Sequence, residues 1–427
     1  MATFEHIEPT RLGGAVLLAS SLLLSSGTAL GQTLKQLATR VAEEHPRVRL
    51  LRAQVRAAEF EVQQVGASHG VRVSTFIEPA KTSSMGSELP SMSGSDMGVR
   101  LAYPVYDWGK GTAETNQARA RKDAAQARLD VEIAAQWAKL SATYIEATRY
   151  ERETSVAHAY VSSLQELRVK IQTVVQADKG RASELQQVES RIHQANLYVL
   201  QRQAAATEAL IQLRAQTNLP GATPVALESP NAHFPPSIDS VIVTLDKHPA
   251  LQEATFQIDE SQQGVYAATA QEKPQLDLQA SLSSRDSAGR FKALRTADVR
   301  LISQWEIYDG GIARTRTASA QERLHAAREQ AESVRHDLDA DLRRTWSRQK
   351  EGSARAALWK KQIAFSMQLR DFYWEQFRVG RRPLTDLLNV ENDIYQAQLS
   401  EVVEQHDVLQ SEYRMFIQSG LAKDLWK

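Results

Sequence analysis

"YPVYDWG" at 103–109 returns as "WEIYDGG" at 305–311, with Tyr106-Asp107 matching Tyr308-Asp309. Two more pairs keep that spacing: "EHP" (44–46) with "KHP" (247–249), and "VESRIHQA" (188–195) with "VENDIYQA" (390–397). All three lie about 202 residues apart and in the same order, which chance does not produce. Self-similarity at a fixed offset marks a repeated structural unit. The chain reads as two copies of one unit, 32–220 and 246–427, with a 221–245 linker between them. Pro, Gly and Asn cluster there in "TNLPGATPVALESPNAHFPPS" (217–237), as in a connecting segment.

Each copy reads as a helix, two strands, a very long helix, a turn and a returning helix. The first helices cover about 33–66 and 237–270, and the long ones about 111–175 and 311–378. The tip turns fall at about 176–183 and 379–384, and the returning helices at about 184–216 and 385–420. At 1.5 Å per residue each long helix runs on the order of 100 Å, far beyond the usual dozen residues. Leu324, Ala327, Ala331, Val334 and Leu338 step by three and four, a heptad seam, before a four-residue step to Leu342 slips the register. Small Ala on such seams brings helices close without filling a solid core. That pattern suits a hollow ring of helices, and a plain antiparallel coiled coil has the same periodicity.

Four segments, about 70–80, 96–106, 274–284 and 298–308, alternate with period two. Met97, Val99, Leu101, Tyr103 and Val105 oppose Gly98, Arg100, Ala102 and Pro104, while Leu276, Leu278, Ala280 and Leu282 oppose Asp277, Gln279, Ser281 and Ser283. Segments of about ten residues with one apolar face fit outer-membrane strands, and also a half-buried soluble sheet. Tyr103, Tyr106 and Trp108, with Trp305 and Tyr308 in the copy, gather at strand ends, where an aromatic girdle meets the membrane interface. Long polar loops join the strands within each pair, at 81–96 and 285–297. Four strands close no barrel, and an open edge is not tolerated in lipid, so membrane strands here imply several chains pooling theirs.

Composition narrows the rest. Charges balance at 51 of each sign, so no basic face points to nucleic acid. With no cysteine, disulfides, thiolate metal sites, a Cys nucleophile and a lipidated N-terminal Cys are not expected. Residues 1–31 read as a secretory signal: Arg11 precedes an apolar run, and Ala29 and Gly31 stand before a cleavage site at Gln32. The run is shorter than the roughly 20 residues a membrane span needs. No H-E-x-x-H, Walker A, G-x-S-x-G or dinucleotide fingerprint occurs, so no catalytic residue, metal or cofactor is assigned. His45 and His248 precede Pro at matching helix starts and read as structural.

These parts in this order resemble the TolC family of outer-membrane efflux and export factors, across nearly the whole chain after residue 31. The resemblance implies a mainly α fold with membrane β. Three chains would contribute four strands each to one 12-stranded outer-membrane barrel, continued by a periplasmic α-helical barrel. It implies an entrance at the helix tips, opened on docking with a periplasmic adaptor (a membrane fusion protein) and an inner-membrane ABC exporter or proton-driven pump. In "VGRRPLTDLLNVENDIYQ" (379–396), Val379-Gly380 match the family's turn, Arg382 its Arg and Asp386 its first acid. Asn389 stands where the second acid is expected, and Phe377 where a latching Tyr is expected. In the first copy Gly180 marks the turn and Glu184 takes the place of an Asp that holds the latch. The resemblance thus implies an Asp386 ring favouring cations and an Arg382–Glu184 pair joining helices at the closed mouth. The Tyr106–Lys110 stretch and the missing Cys favour type I secretion of proteins such as large adhesins. Small-molecule efflux is the alternative, and a soluble periplasmic coiled-coil adaptor or scaffold is the rival from another class.

Overall fold

A computed structural model describes residues 33–82, 92–225, 237–287 and 294–420. The signal at 1–31, most of the two strand loops and part of the linker lie outside the described residues. The first copy runs α1 (Leu34–Glu44), α2 (Pro46–Ser68), β1 (Arg72–Thr82), β2 (Met92–Tyr106), α3 (Lys110–Ala177) and α4 (Ala182–Thr217). The second runs α5 (Ile238–Ile242), a 3-10 turn, α6 (Pro249–Ala270), β3 (Gln275–Ser287), β4 (Leu294–Gln304), α7 (Ile312–Arg378) and α8 (Leu384–Gln418). Among the described residues no helix is long and apolar enough to cross a membrane.

The first helix of each copy, expected to be continuous, is broken. His45 and His248 take extended backbone (φ −60, ψ 130 and φ −68, ψ 129) and each precedes a Pro that starts the next helix. Pro lacks the N–H and excludes helical geometry from the residue before it, so the chain restarts there. His248 Nδ1 accepts the Ala250 N–H at 3.2 Å, capping α6.

The repeated Tyr-Asp-x-Gly begins both long helices. Asp107 accepts the N–H groups of Gly109 (3.0 Å) and Gly111 (2.6 Å), and Asp309 those of Gly311 (2.8 Å) and Ala313 (2.6 Å). Each carboxylate satisfies orphan donors at a helix start. These bonds hold the Asp309 carboxyl below its usual range. Gly109 and Gly311 sit at φ +83 and +93, which strains any side chain there.

The strands form one antiparallel sheet, β1-β2-β3-β4. Its register places Val73, Leu101, Ala280 and Val299 in one row, and Ser74, Arg100, Ser281 and Asp298 in the next. The apolar face is bare: Val73 is 66% exposed, Ile77 73% and Val299 74%. On the polar face Arg100 lies 4.8 Å from the Phe76 ring centre. Phe76, an apolar residue on the polar face of β1, pairs with Gly98, where a methyl group would meet its ring. β4 ends at Gln304, so Trp305, Ile307 and Tyr308 leave the sheet, whereas β2 continues to Tyr106 through an irregularity at Pro104. β2 pairs on both sides; β4 is an edge with one partner to extend it.

In the half nearer the tips α3 packs on α4 and α8, and α8 on α7, giving the order α4-α3-α8-α7; in the half nearer the sheet α2 packs on α3, and α6 packs on both α3 and α7. One core lies toward the tips, around Leu164, Ile171, Val188, Phe377 and Leu387. Another, with Leu37, Trp137, Leu140 and Tyr413, ties α1 to the long helices. The expected seam is real: Leu324 and Leu342 are buried and Ala327, Ala331, Val334 and Leu338 half-buried along α7.

Candidate functional site

The site expected at the helix tips is built from two turns, 178–181 and 379–383, between the long and returning helices. The first is a 3-10 turn in which Asp178 Oδ1 accepts the Gly180 N–H at 3.0 Å. The second ends α7 with Gly380 at φ +72, its N–H bonded to the Phe377 carbonyl (3.0 Å) and that of Arg381 to the Gln376 carbonyl (2.9 Å). This paired closure needs the left-handed conformation that Gly supplies. Pro383 in extended backbone then starts α8.

The side chains meet differently from the family-based expectation. Arg382 Nη1 lies 2.7 Å from Asp386 Oδ2, its Nε donates to Gln376 Oε1 at 2.8 Å, and its guanidinium carbon is 3.8 Å from the Tyr373 ring centre. Glu184 contacts Arg181 instead, with Nε–Oε1 at 3.1 Å and Nη2–Oε2 at 3.0 Å. The Arg382–Glu184 pair is therefore absent within the chain. Local partners three and four residues away on a helix need no chain closure, and each acid takes the nearer one. Asp386 sits in the first turn of α8, where the helix dipole favours an acid. Asn389, one turn further on, is exposed and borders an open groove with Gln186, Gln187 and Arg191 of α4.

Phe377 is fully buried, 5.8 Å from Trp374 by ring centres, with the Arg181 guanidinium carbon 4.5 Å from its own centre. Sequence reasoning missed Arg181, Tyr373, Trp374 and Gln376. The signals were present: Arg181 stands three residues before Glu184, and Tyr373 one helical turn before Phe377. Above the tip, Tyr395 of α8 stacks between Tyr160 of α3 (4.7 Å) and Tyr198 of α4 (5.6 Å). Burial pushes the Tyr160 hydroxyl up to about 12. Glu391 accepts from Ser163 Oγ at 2.9 Å, and burial raises its carboxyl.

The girdle aromatics gather where sheet meets helices. Tyr103 lies on the apolar sheet face beside Leu278. Tyr106 and Trp108 meet edge to face at 5.0 Å, and Lys273 Nζ lies 4.9 Å from the Trp108 ring centre. Trp108 Nε1 donates to the Pro274 carbonyl (2.7 Å) and Trp305 Nε1 to that of Glu272 (3.3 Å). Indoles from both copies thus converge on the segment entering β3. Tyr308 stands 87% exposed beside them in sequence.

The outer membrane efflux protein BepC of Brucella suis biovar 1 (strain 1330) is 26% identical over 191 residues, 44% of this chain. The match spans 42% of that relative's length. The fold is that of solved outer-membrane channels: CusC superposes with a TM-score of 0.81 at 13% identity, over 91% of this chain and 92% of that one. VceC of Vibrio cholerae gives 0.77 at 15% identity, over 91% and 96%. The profile of the family described as outer membrane efflux protein matches residues 37–219 and 243–416, both copies of the repeat. Matched over most of its length, the chain belongs to the outer membrane efflux protein family.

Proposed function

We propose that three copies of this chain pool their sheets into a 12-stranded barrel in the outer membrane and continue it through the periplasm as a helical duct. The observation that carries this reading is the bare apolar sheet face bounded by two open edges, β1 and β4. An apolar face is at home against lipid, and unpaired edges are tolerated there only when another chain closes them. The helical layer supports the same symmetry. Its flanking helices carry exposed apolar side chains: Leu197, Leu200 and Ile211 on α4, and Leu358, Phe365, Leu369 and Phe372 on α7. In a ring, α7 of one chain meets α4 of the next.

The product is a passive, gated conduit from periplasm to exterior, driven by partners. An adaptor docks at the tips, and an ABC exporter or proton-driven pump in the inner membrane supplies energy. Two cargo readings divide on separate features. The stretch Tyr106-Asp107-Trp108-Gly109-Lys110 and the absence of cysteine favour type I protein secretion. The word efflux in the family description and in the name of the Brucella relative fits the alternative, efflux of small molecules. Purified protein added to a planar bilayer is expected to give discrete ion-conducting steps. A preparation that never conducts rejects the conduit.

A further inference from the structure

The polar face of the sheet is unevenly charged. Arg72 and Arg300 stand in one row of the register and Arg100 in the next, whereas Glu78 and Asp96 share a row nearer the strand loops. Around Arg100 and Arg300 the face dips into a concavity of about 390 Å³. The two cations reach it from β2 and β4, two strands apart, a backbone separation of about 10 Å. Gln279, Ser281, Ser283 and Thr296 also line it, offering amide and hydroxyl donors. The two cations are held differently. The Phe76 ring carries the Arg100 guanidinium on its face at 4.8 Å, and Gly98 leaves the space that the ring fills. A guanidinium held by its flat face keeps its N–H edge for an acceptor. Arg300 is held through Nε, 2.9 Å from Asp298 Oδ2, while Ser281 Oγ donates to Asp298 Oδ1 at 2.5 Å. Both oxygens of Asp298 are thus engaged beside Arg300, and the ring, not an acid, holds Arg100.

Resting on the conduit reading, we infer that this concavity is an anion station on the wall of the passage, taking small solutes that carry carboxylate or phosphate groups, with Arg100 and Arg300 as its binding residues. A guanidinium fork matches either group through paired N–H donors. The hydroxyls and the amide between the two forks supply further donors. In the proposed barrel this face turns inward, and each chain brings one station to the common lumen. Arg100 and Arg300 are both open to water, and Asp298, Asp96 and Glu78 stand beside them, which keeps binding weak. Weak binding suits a passage, where a solute must enter a site and also leave it. The favoured cargo is then anionic.

Titration calorimetry of the detergent-extracted protein, once with inorganic pyrophosphate and once with citrate, reads the site directly. Wild-type protein is expected to bind at least one of them, and the tighter of the two names the anionic group. Arg100→Gln and Arg300→Gln are each expected to weaken binding about tenfold with an unchanged thermal melt, the usual loss of a charge-assisted hydrogen bond. Arg100→Lys keeps the charge without the planar fork and is expected to fall between. Arg328→Gln removes an exposed Arg of α7, away from the sheet, and is expected to bind like the wild type. No binding of either anion, or a loss shared by Arg328→Gln, overturns the station. Across a KCl gradient in a planar bilayer, Arg100→Gln is expected to move the reversal potential toward cation preference. An unmoved potential overturns the station's place in the passage. Wild-type protein that binds the anion and never conducts overturns the conduit instead.

Discussion

The Arg382 guanidinium lies 2.7 Å from the Asp386 carboxylate, four residues further along the same chain. An acid ring at the entrance needs carboxylates free of such partners, and here each Asp386 carries its own counter-charge. The second position that the family resemblance gives to such a ring is Asn389, which carries no charge. The mouth is therefore expected to resist block by trivalent cations. Arg382→Gln frees Asp386 and is expected to make the channel sensitive to them, read as a loss of current on titration. Strong block of the wild-type channel would show that Asp386 acts as a free acid.

The capping carboxylates give a stability test. Asp107→Ala or Asp309→Ala unmakes two bonds at the start of a long helix. Each is expected to cost about 1 kcal/mol, the usual loss for an N-cap. Thermal melts check this, and Gly311→Ala should add strain at the same junction because its φ is +93. A neutral result for both Asp variants removes the caps from the account.

Burial pushes the His248 imidazole down to about 4. The unfolded chain, with an ordinary value of about 6.5, then takes the proton first as pH falls. Its contribution to stability is full above about pH 6.5 and is lost as pH drops toward 4, by up to about 3 kcal/mol. His248→Asn keeps an acceptor for the Ala250 N–H but no titrating ring. Its melting temperature is expected to fall less than the wild type's between pH 7 and pH 4.5. Equal losses would assign the acid sensitivity elsewhere.

The exposed stripe on α7 predicts an assembly defect. Phe365 and Phe372 are each 66% exposed in the single chain. Phe365→Asp with Phe372→Asp is expected to shift detergent-extracted protein from trimer toward monomer while leaving the helical circular dichroism intact. Trimers of normal abundance would place that stripe outside the seam between chains.

Much of this was legible from residues alone. The 202-residue offset announced the duplication, and the period-two runs announced the sheet and its two faces. The breaks at His45-Pro46 and His248-Pro249 had a signal there too, since the residue before Pro avoids helical backbone, but the periodicity on either side reads as one continuous helix and hides them. The end of β4 at Gln304 was not, because the strand's reach depends on a neighbour that the pattern does not name. Partner choice at the tips was the least legible part. Arg181 and Arg382 each had more than one acid or ring in reach by spacing. Only the packing of Phe377 and Tyr373 decides which cation covers which ring.

On the proposed function, a single chain is one third of a membrane conduit. Membrane fractionation followed by mass measurement of the detergent-extracted particle tests it most directly. The expected result is a trimer recovered from the outer-membrane fraction. A monomer recovered from the soluble periplasm contradicts it.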